Sequence, residues 1–132
     1  WDHEQMAQIM RSKDAHWVCL QYKDATEEIK AFKEKYPDID IAQYPYATLT
    51  KDYDDMCGLV ASLDGVVAMQ STAVHTAGAL GVPCAAGIPK TSQWRYGTDE
   101  KTMPWYSCVE LFRQTQFGVW DMAGIKNWLK RF

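Results

Sequence analysis

The segment after Met69 has the residue types needed to bind an anion. Ser71 and Thr72 begin a helix-like stretch directly after an apolar run, and His75 follows on its first turn. Hydroxyl groups, free backbone N–H groups and the positive end of the helix dipole all favour a negatively charged group, and a ring nitrogen of His75 could donate to it. The alternative is an ordinary Ser/Thr cap beside a partly exposed histidine.

Two loops nearer the start of the chain also carry candidate ligand-binding side chains. Gln21 and Lys23 follow the first strand-like run, where a lysine can meet a phosphate or simply stay in water. Tyr44 and Tyr46 follow the second run, where aromatic rings can stack on a base or pack against a neighbouring loop. Both interpretations stay open for each loop.

A long aperiodic segment, residues 89–104, is the fourth candidate. It begins at Pro89 and contains Trp94 and Arg95, residue types that stack on sugars, bases and partner surfaces. Structureless segments of this length are uncommon in compact domains and are often functional. The alternative is a loop held to the sheet by its aromatic side chains.

Composition and missing motifs exclude several classes of protein. The net charge is −3 over 132 residues, which argues against a nucleic-acid binder with a broad basic face. No apolar run is long enough for a membrane span, and no glycine-rich dinucleotide loop, P-loop or serine-hydrolase elbow occurs. The start of the chain lacks a signal peptide and also lacks Met, which suggests a fragment or a processed chain.

Four widely spaced cysteines predict reduced, mostly buried thiols and a cytoplasmic protein. They form no Cys-x-x-Cys pair, and the three histidines are not spaced as zinc ligands. The cysteines are Cys19, Cys57, Cys84 and Cys108.

Hydrophobic periodicity predicts alternating strands and helices along the whole chain. Strands are expected at residues 16–22, 39–44, 65–69, 83–88 and 109–112, with a brief edge strand at 47–49. Helices are expected at residues 2–12, 25–36, 52 or 54 to 63, 71–80 and 121–132. This pattern predicts an α/β fold: one doubly wound, Rossmann-like, three-layer sandwich over residues 1–132, with a mainly parallel sheet of five or six strands.

The order of several motifs resembles the C-terminal half of heptosyltransferase-like glycosyltransferases (glycosyltransferase family 9 type), as in versions fused to tetratricopeptide repeats. The motifs are a Ser-Thr-x-x-His-x-Ala-Gly-Ala-Leu-Gly-x-Pro helix at residues 71–83, Trp-Arg-Tyr at 94–96, Pro-Trp-Tyr at 104–106 and Leu-Phe-Arg-Gln at 111–114. The resemblance covers about residues 15–132 and implies a GT-B enzyme whose C-terminal half binds a nucleotide-sugar donor, such as an ADP- or UDP-sugar.

The resemblance also assigns roles to individual residues. It places Ser71, Thr72, Ala73, His75 and Lys23 at the donor diphosphate. It places Gln21, Tyr44, Tyr46, Pro89, Trp94 and Arg95 at the base, ribose or sugar. It implies no metal and no further cofactor, since the helix dipole, the lysine and the histidine would neutralise the diphosphate.

Two departures from the family pattern bear on activity. Gln70 stands where members usually have an acidic residue, which affects catalytic competence or donor choice. In the family, the N-terminal half carries the catalytic base and the acceptor site, and that half is absent here; a tetratricopeptide segment is the other part that could be missing. The resemblance therefore implies that this chain binds a donor but transfers no sugar by itself. The alternatives are a non-catalytic binding module on the same fold and half of an enzyme like the UDP-sugar 2-epimerases.

Overall fold

The chain, described over residues 1–132 by a computed structural model, divides into two units. The first unit is Trp1–Leu59 and the second is Val60–Phe132. No helix combines the length and the apolar character that crossing a bilayer requires.

The first unit contains a small parallel sheet and its helices. The elements are α1 (His3–Met10), β1 (Trp17–Val18), α2 (Thr26–Lys35), β2 (Ile41–Ala42), α3 (Pro45–Thr48) and α4 (Tyr53–Ala61), the last of which spans the unit boundary. Strands β1 and β2 pair in parallel, with Trp17 opposite Ile41.

The core of the first unit follows from the apolar spacing of its helices. Phe32 and Tyr36 lie one turn apart at the end of α2 and pack with Ile39 and Ile41. Ala7 of α1 joins the same cluster, and a capping box at Asp2 fixes the start of that helix. These contacts pack the strand pair against α1 and α2.

The second unit contains a four-stranded sheet in the order β3-β4-β6-β5. Its elements are β3 (Val66–Met69), α5 (Thr72–Leu80), β4 (Cys84–Ile88), a 3-10 turn (Trp94–Tyr96), β5 (Thr102–Met103), β6 (Tyr106–Arg113) and α6 (Met122–Leu129). Strands β3, β4 and β6 are parallel, whereas β5 runs antiparallel to β6.

The centre of this sheet is strand β4, whose residues are all buried. Helix α5 ends at Gly81, as predicted, with φ of 74° in the left-handed region that favours glycine. Gly78 lies on the face of α5 that meets Tyr106, and a Cβ atom there would collide with the tyrosine ring. The glycine therefore permits the close approach of α5 to β6.

The predicted five- or six-stranded, mainly parallel sandwich is wrong. The structure has two separate sheets, of two and four strands, and the larger sheet is mixed. The runs at 16–22 and 39–44 form only two strand residues each because their ends bond elsewhere. Gln43 bonds the loop backbone at Gln21 and Lys23, while the carbonyl of Tyr44 accepts from Ala47 at 3.0 Å.

Other predicted elements changed in type or length. The edge strand expected at 47–49 is wrong, because Pro45 starts α3 with its fixed φ at the first helical position. The segment 89–104 is not wholly irregular, since it includes the 3-10 turn and β5. The remaining helices and the strands β3, β4 and β6 lie where the periodicity predicts them.

All four cysteines are free thiols. Cys84 is fully buried in β4, and burial raises the pKa of its thiol to about 12. The other three are partly buried, so the expected apolar character fits Cys84 best.

Candidate functional site

The three parallel strands of the second unit end at one edge of the sheet. Met69 of β3 lies opposite Gly87 of β4, and Ile88 of β4 lies opposite Arg113 of β6. Ligands of open α/β sheets bind at the carboxyl ends of the strands. The residues that follow these strands are therefore the candidate ligand-binding residues.

Helix α5 begins at this edge with its polar groups available. Ser71 is the N-cap in an extended conformation, and its hydroxyl makes no capping hydrogen bond. Thr72 and Ala73 supply first-turn N–H groups that have no acceptor within the helix. Ser71 and Thr72 are exposed, so an anion can reach them.

His75 lies one turn into α5 and is partly buried among aromatic rings. Its Nε2 atom is 3.3 Å from the hydroxyl oxygen of Tyr96, and its ring centroid is 6.0 Å from that of Tyr106. Burial lowers the pKa of His75, and the positive charge of Arg95 lowers it further. Both effects favour the neutral imidazole, in which one ring nitrogen donates a hydrogen bond and the other accepts one.

Arg95 is a cation without a protein counter-charge. Its Nε atom is buried and has no hydrogen-bond partner, and its guanidinium takes no part in the ion pairs of the chain. Its backbone carbonyl accepts from Trp105 Nε1 at 3.1 Å. Because a buried, unpaired donor costs free energy, an anion beside Arg95 would be stabilised.

The loop that carries Arg95 and Tyr96 is held by Arg113 at the end of β6. The guanidinium of Arg113 donates to the carbonyl of Tyr96 and, at 3.2 Å, to that of Glu100. Its Nη2 atom also lies 3.8 Å from the Glu100 carboxylate. Gly97, at φ of 64°, allows the turn between them.

Two glutamines complete the same edge. The side-chain oxygen of Gln70 accepts from the N–H of Gln93 at 3.4 Å, so this residue supports the loop. Buried Gln114 accepts from the N–H of Lys90 at 3.0 Å, and Lys90 Nζ donates to the carbonyl of Thr115 at 3.2 Å. No carboxylate forms a hydrogen bond or an ion pair with His75 or Arg95.

Two further predicted residues, Pro89 and Trp94, belong to the second unit. Pro89 follows β4 and is half-buried. Trp94 is 79% exposed, with its ring centroid 6.2 Å from that of Trp105, which is 60% exposed. The second unit therefore contains the predicted residues Ser71, Thr72, Ala73, His75, Pro89, Trp94 and Arg95.

The other predicted residues belong to the first unit. Gln21 and Lys23 lie in the loop after β1, which Gln43 holds through hydrogen bonds of 2.9 and 2.8 Å to their carbonyls. Tyr44 donates or accepts a 3.0 Å hydrogen bond with His16, and its ring is 6.0 Å from that of Tyr46. The hydroxyl of Tyr44 thus contacts the residue that precedes β1, whereas the side chains of Lys23 and Tyr46 are exposed.

In the sequence, Tyr96, Arg113 and Gln114 are recognised only within the motifs at residues 94–96 and 111–114, and none of them is assigned a role at the site. Arg113 could have been assigned one, because a charged residue at the end of a strand points to the ligand edge of a sheet. The contact of Tyr96 with His75 has no such signal, since a tyrosine in a loop has many uses. No group of three or more His, Cys, Asp and Glu side chains is arranged to hold a metal ion.

Protein FlbA of Caulobacter vibrioides is 34% identical to this chain over 113 residues. The match covers 86% of this chain but only 18% of FlbA, so the chain spans less than a fifth of the length of that curated relative. No family model matches the chain. No solved structure matches it.

Proposed function

We propose that this chain is the donor-binding part of a heptosyltransferase-like glycosyltransferase and holds the diphosphate of a nucleotide sugar. The diphosphate would lie at the start of α5, on the hydroxyls of Ser71 and Thr72 and the N–H group of Ala73. His75 would donate a hydrogen bond and Arg95 would supply the opposite charge. Three kinds of anion-binding group therefore lie within the second unit.

The observation that carries the proposal is the buried Nε atom of Arg95, which has no hydrogen-bond partner. Burial lowers the pKa of His75, and the positive charge of Arg95 lowers it further. An anion beside Arg95 would accept from the unpaired donor and offset the charge that disfavours protonation of His75. The uncapped nine-residue helix α5 adds its dipole to the same site.

Calorimetry with ADP-glucose and UDP-glucose tests the proposal. Arg95→Gln should weaken binding by about tenfold or more, because it removes a charge-assisted hydrogen bond to the ligand. Lys101→Gln is the matched control, since it removes one positive charge from an exposed residue of the same unit. Absence of binding at millimolar ligand, or equal affinity of Arg95→Gln and the unchanged protein, would contradict the proposal.

The roles of Lys23, Gln21, Tyr44 and Tyr46 in donor binding rest on the family resemblance and stay predictions. Lys23→Ala tests the first of them, because an exposed lysine can be removed without loss of packing. We also propose a reducing, cytoplasmic setting, which the free thiols favour, and an acceptor-binding half as the partner in transfer.

A non-catalytic binding module is the second candidate, and Gln70 favours it. Its side-chain oxygen accepts from the backbone of Gln93 and supplies no carboxylate. A protein of this kind would bind the nucleotide sugar and leave it intact. Product analysis with the protein and an added acceptor-binding half separates the two, since only an enzyme consumes the donor.

A further inference from the structure

The hydroxyl group of Tyr96 depends on a single partner. Tyr96 is 1% exposed, and the hydroxyl oxygen meets only Nε2 of His75, at 3.3 Å. A phenol can donate one hydrogen bond and accept others. A buried donor without an acceptor is costly, whereas a spare acceptor lone pair costs less.

This difference decides which way the hydrogen bond runs. If Nε2 carried the proton and donated, the O–H group of Tyr96 would be buried with no acceptor. If Tyr96 donates, Nε2 accepts and the proton of the neutral imidazole resides on Nδ1. The second arrangement satisfies the phenol and Nε2, and Nδ1 is not a buried atom, so its proton can meet water. The ring proton therefore belongs on Nδ1.

We propose that Tyr96 is a positioning residue that holds His75 in the Nδ1-protonated form, so that His75 presents a hydrogen-bond donor to an anion at the start of α5. The role of the anion rests on the proposed function, whereas the assignment of the proton rests on the Tyr96–His75 geometry alone. Nδ1 has no hydrogen-bond partner in the protein, so this donor is available to a ligand.

The surroundings keep the arrangement fixed. Arg113 donates to the carbonyl of Tyr96 and so holds the backbone that carries the phenol. Tyr106 packs its ring edge-on to His75, and Gly78 leaves room for Tyr106 beside α5. Arg95 is the charged group that acts on His75, and it disfavours the imidazolium form.

Nitrogen NMR of the ligand-free protein tests the assignment directly, because the two neutral tautomers of histidine give different 15N shifts at each ring nitrogen. The unchanged protein should show protonated Nδ1 and unprotonated Nε2 at His75. Tyr96→Phe, which keeps the ring and removes the donor, should shift His75 toward a mixture of tautomers. Protonated Nε2 in the unchanged protein, or an unchanged tautomer in Tyr96→Phe, would overturn the inference.

Amide variants of His75 give a second readout that does not depend on Tyr96→Phe folding. Asparagine places an N–H donor near the position of Nδ1, whereas glutamine places its amide near Nε2. With UDP-glucose or ADP-glucose as the probe, His75→Asn should bind about tenfold more tightly than His75→Gln, as expected for one hydrogen bond to a charged group. Equal affinities of the two variants would overturn the donor role.

The two experiments separate the inference from the proposed function. If NMR finds the Nδ1 proton but neither sugar nucleotide binds the unchanged protein, the donor-binding function fails and the Tyr96–His75 assignment stands. If sugar nucleotide binds but NMR finds the proton on Nε2, the function stands and the inference fails.

Discussion

At the scale of single residues, Arg113 illustrates how a side chain outside the ligand contacts can determine the shape of a site. Its fork of N–H groups matches the carbonyls of a tight loop, and its side chain is only 22% exposed. These hydrogen bonds hold the loop from which Tyr96 reaches His75. A lysine could supply the charge but not the geometry.

Arg113→Met should therefore lower the free energy of unfolding by about 2 kcal/mol, because it leaves loop carbonyls without their charged donor. The free energy of unfolding of Arg113→Lys should lie between those of Arg113→Met and the unchanged protein, since lysine keeps the charge and part of the hydrogen bonding. Urea unfolding followed by tryptophan fluorescence measures both. Equal stability of Arg113→Met and the unchanged protein would show that water replaces the guanidinium at no cost.

The same residues show how far a sequence can predict a site. The sequence predicts that Ser71, Thr72 and His75 lie at the start of a helix, because Ser and Thr favour helix N-termini, and α5 begins there. The contact of His75 with Tyr96 could not be predicted, because Tyr96 lies on a loop whose backbone is held by Arg113. Local patterns predict helix ends, whereas loop contacts depend on residues far apart in the chain.

At the scale of elements, the contact between α5 and β6 depends on one glycine. Gly78 occurs inside a helix, where glycine is unfavourable, yet its missing Cβ leaves room for the ring of Tyr106. Gly58 in α4 has no atom within 4 Å of the position a Cβ would take. A side chain is therefore excluded at Gly78 and has free space at Gly58.

Gly78→Ala should destabilise the protein by about 1–3 kcal/mol, because the added methyl group overpacks the helix–sheet contact. Gly58→Ala should stabilise it by about 0.5–1 kcal/mol, as expected for a helix interior with free space. Thermal and urea unfolding of the matched pair measure both effects. A stabilised Gly78→Ala protein would show that α5 can move away from Tyr106 without loss.

In the first unit, an ion pair joins α1 to the turn before β2. Arg11 donates to the two carboxylate oxygens of Asp38 at 2.6 and 2.7 Å. These hydrogen bonds hold the pKa of Asp38 below its ordinary value. The folded chain therefore binds its proton less readily than the unfolded chain.

The sign of the pH dependence follows from that difference. The contribution of Asp38 is fully present above its unfolded pKa of about 3.9 and is lost as the pH falls through the lower, folded pKa. Asp38→Asn should thus reduce the difference in stability between pH 6 and pH 3, measured by urea unfolding. Asp14→Asn, at an exposed aspartate with no ion pair, should leave that difference nearly unchanged.

The elements also show why the predicted sheet was too large. Apolar periodicity correctly located β3, β4 and β6, which pair with one another along the sheet. It overestimated β1 and β2, since the side chain of Gln43 and the start of α3 use backbone groups that a longer strand would need. Period and propensity do not reveal such competition for hydrogen bonds.

At the scale of the whole molecule, the two sheets differ strongly in burial and in the number of paired strands. Every residue of β4 is buried, and β4 pairs with a parallel strand on each side. Strand β1 has a single neighbour, reached by hydrogen bonds of 2.8 Å from Trp17 to Asp40 and from Cys19 to Ala42. Local stability should follow this difference, because opening β4 disrupts far more packing than opening β1.

Amide hydrogen exchange should therefore be slowest in Cys84–Ile88 and much faster at Trp17 and Cys19. Exchange at β4 requires disruption of the second unit's sheet, so its free energy of opening should approach that of global unfolding. Exchange at Trp17 and Cys19 requires only separation of two short strands, so it should proceed through local opening. NMR detection of single amides distinguishes the two modes, since rising urea accelerates global opening steeply and local opening weakly. Equal protection and equal urea dependence in β1 and β4 would show that the whole chain opens as one cooperative structure.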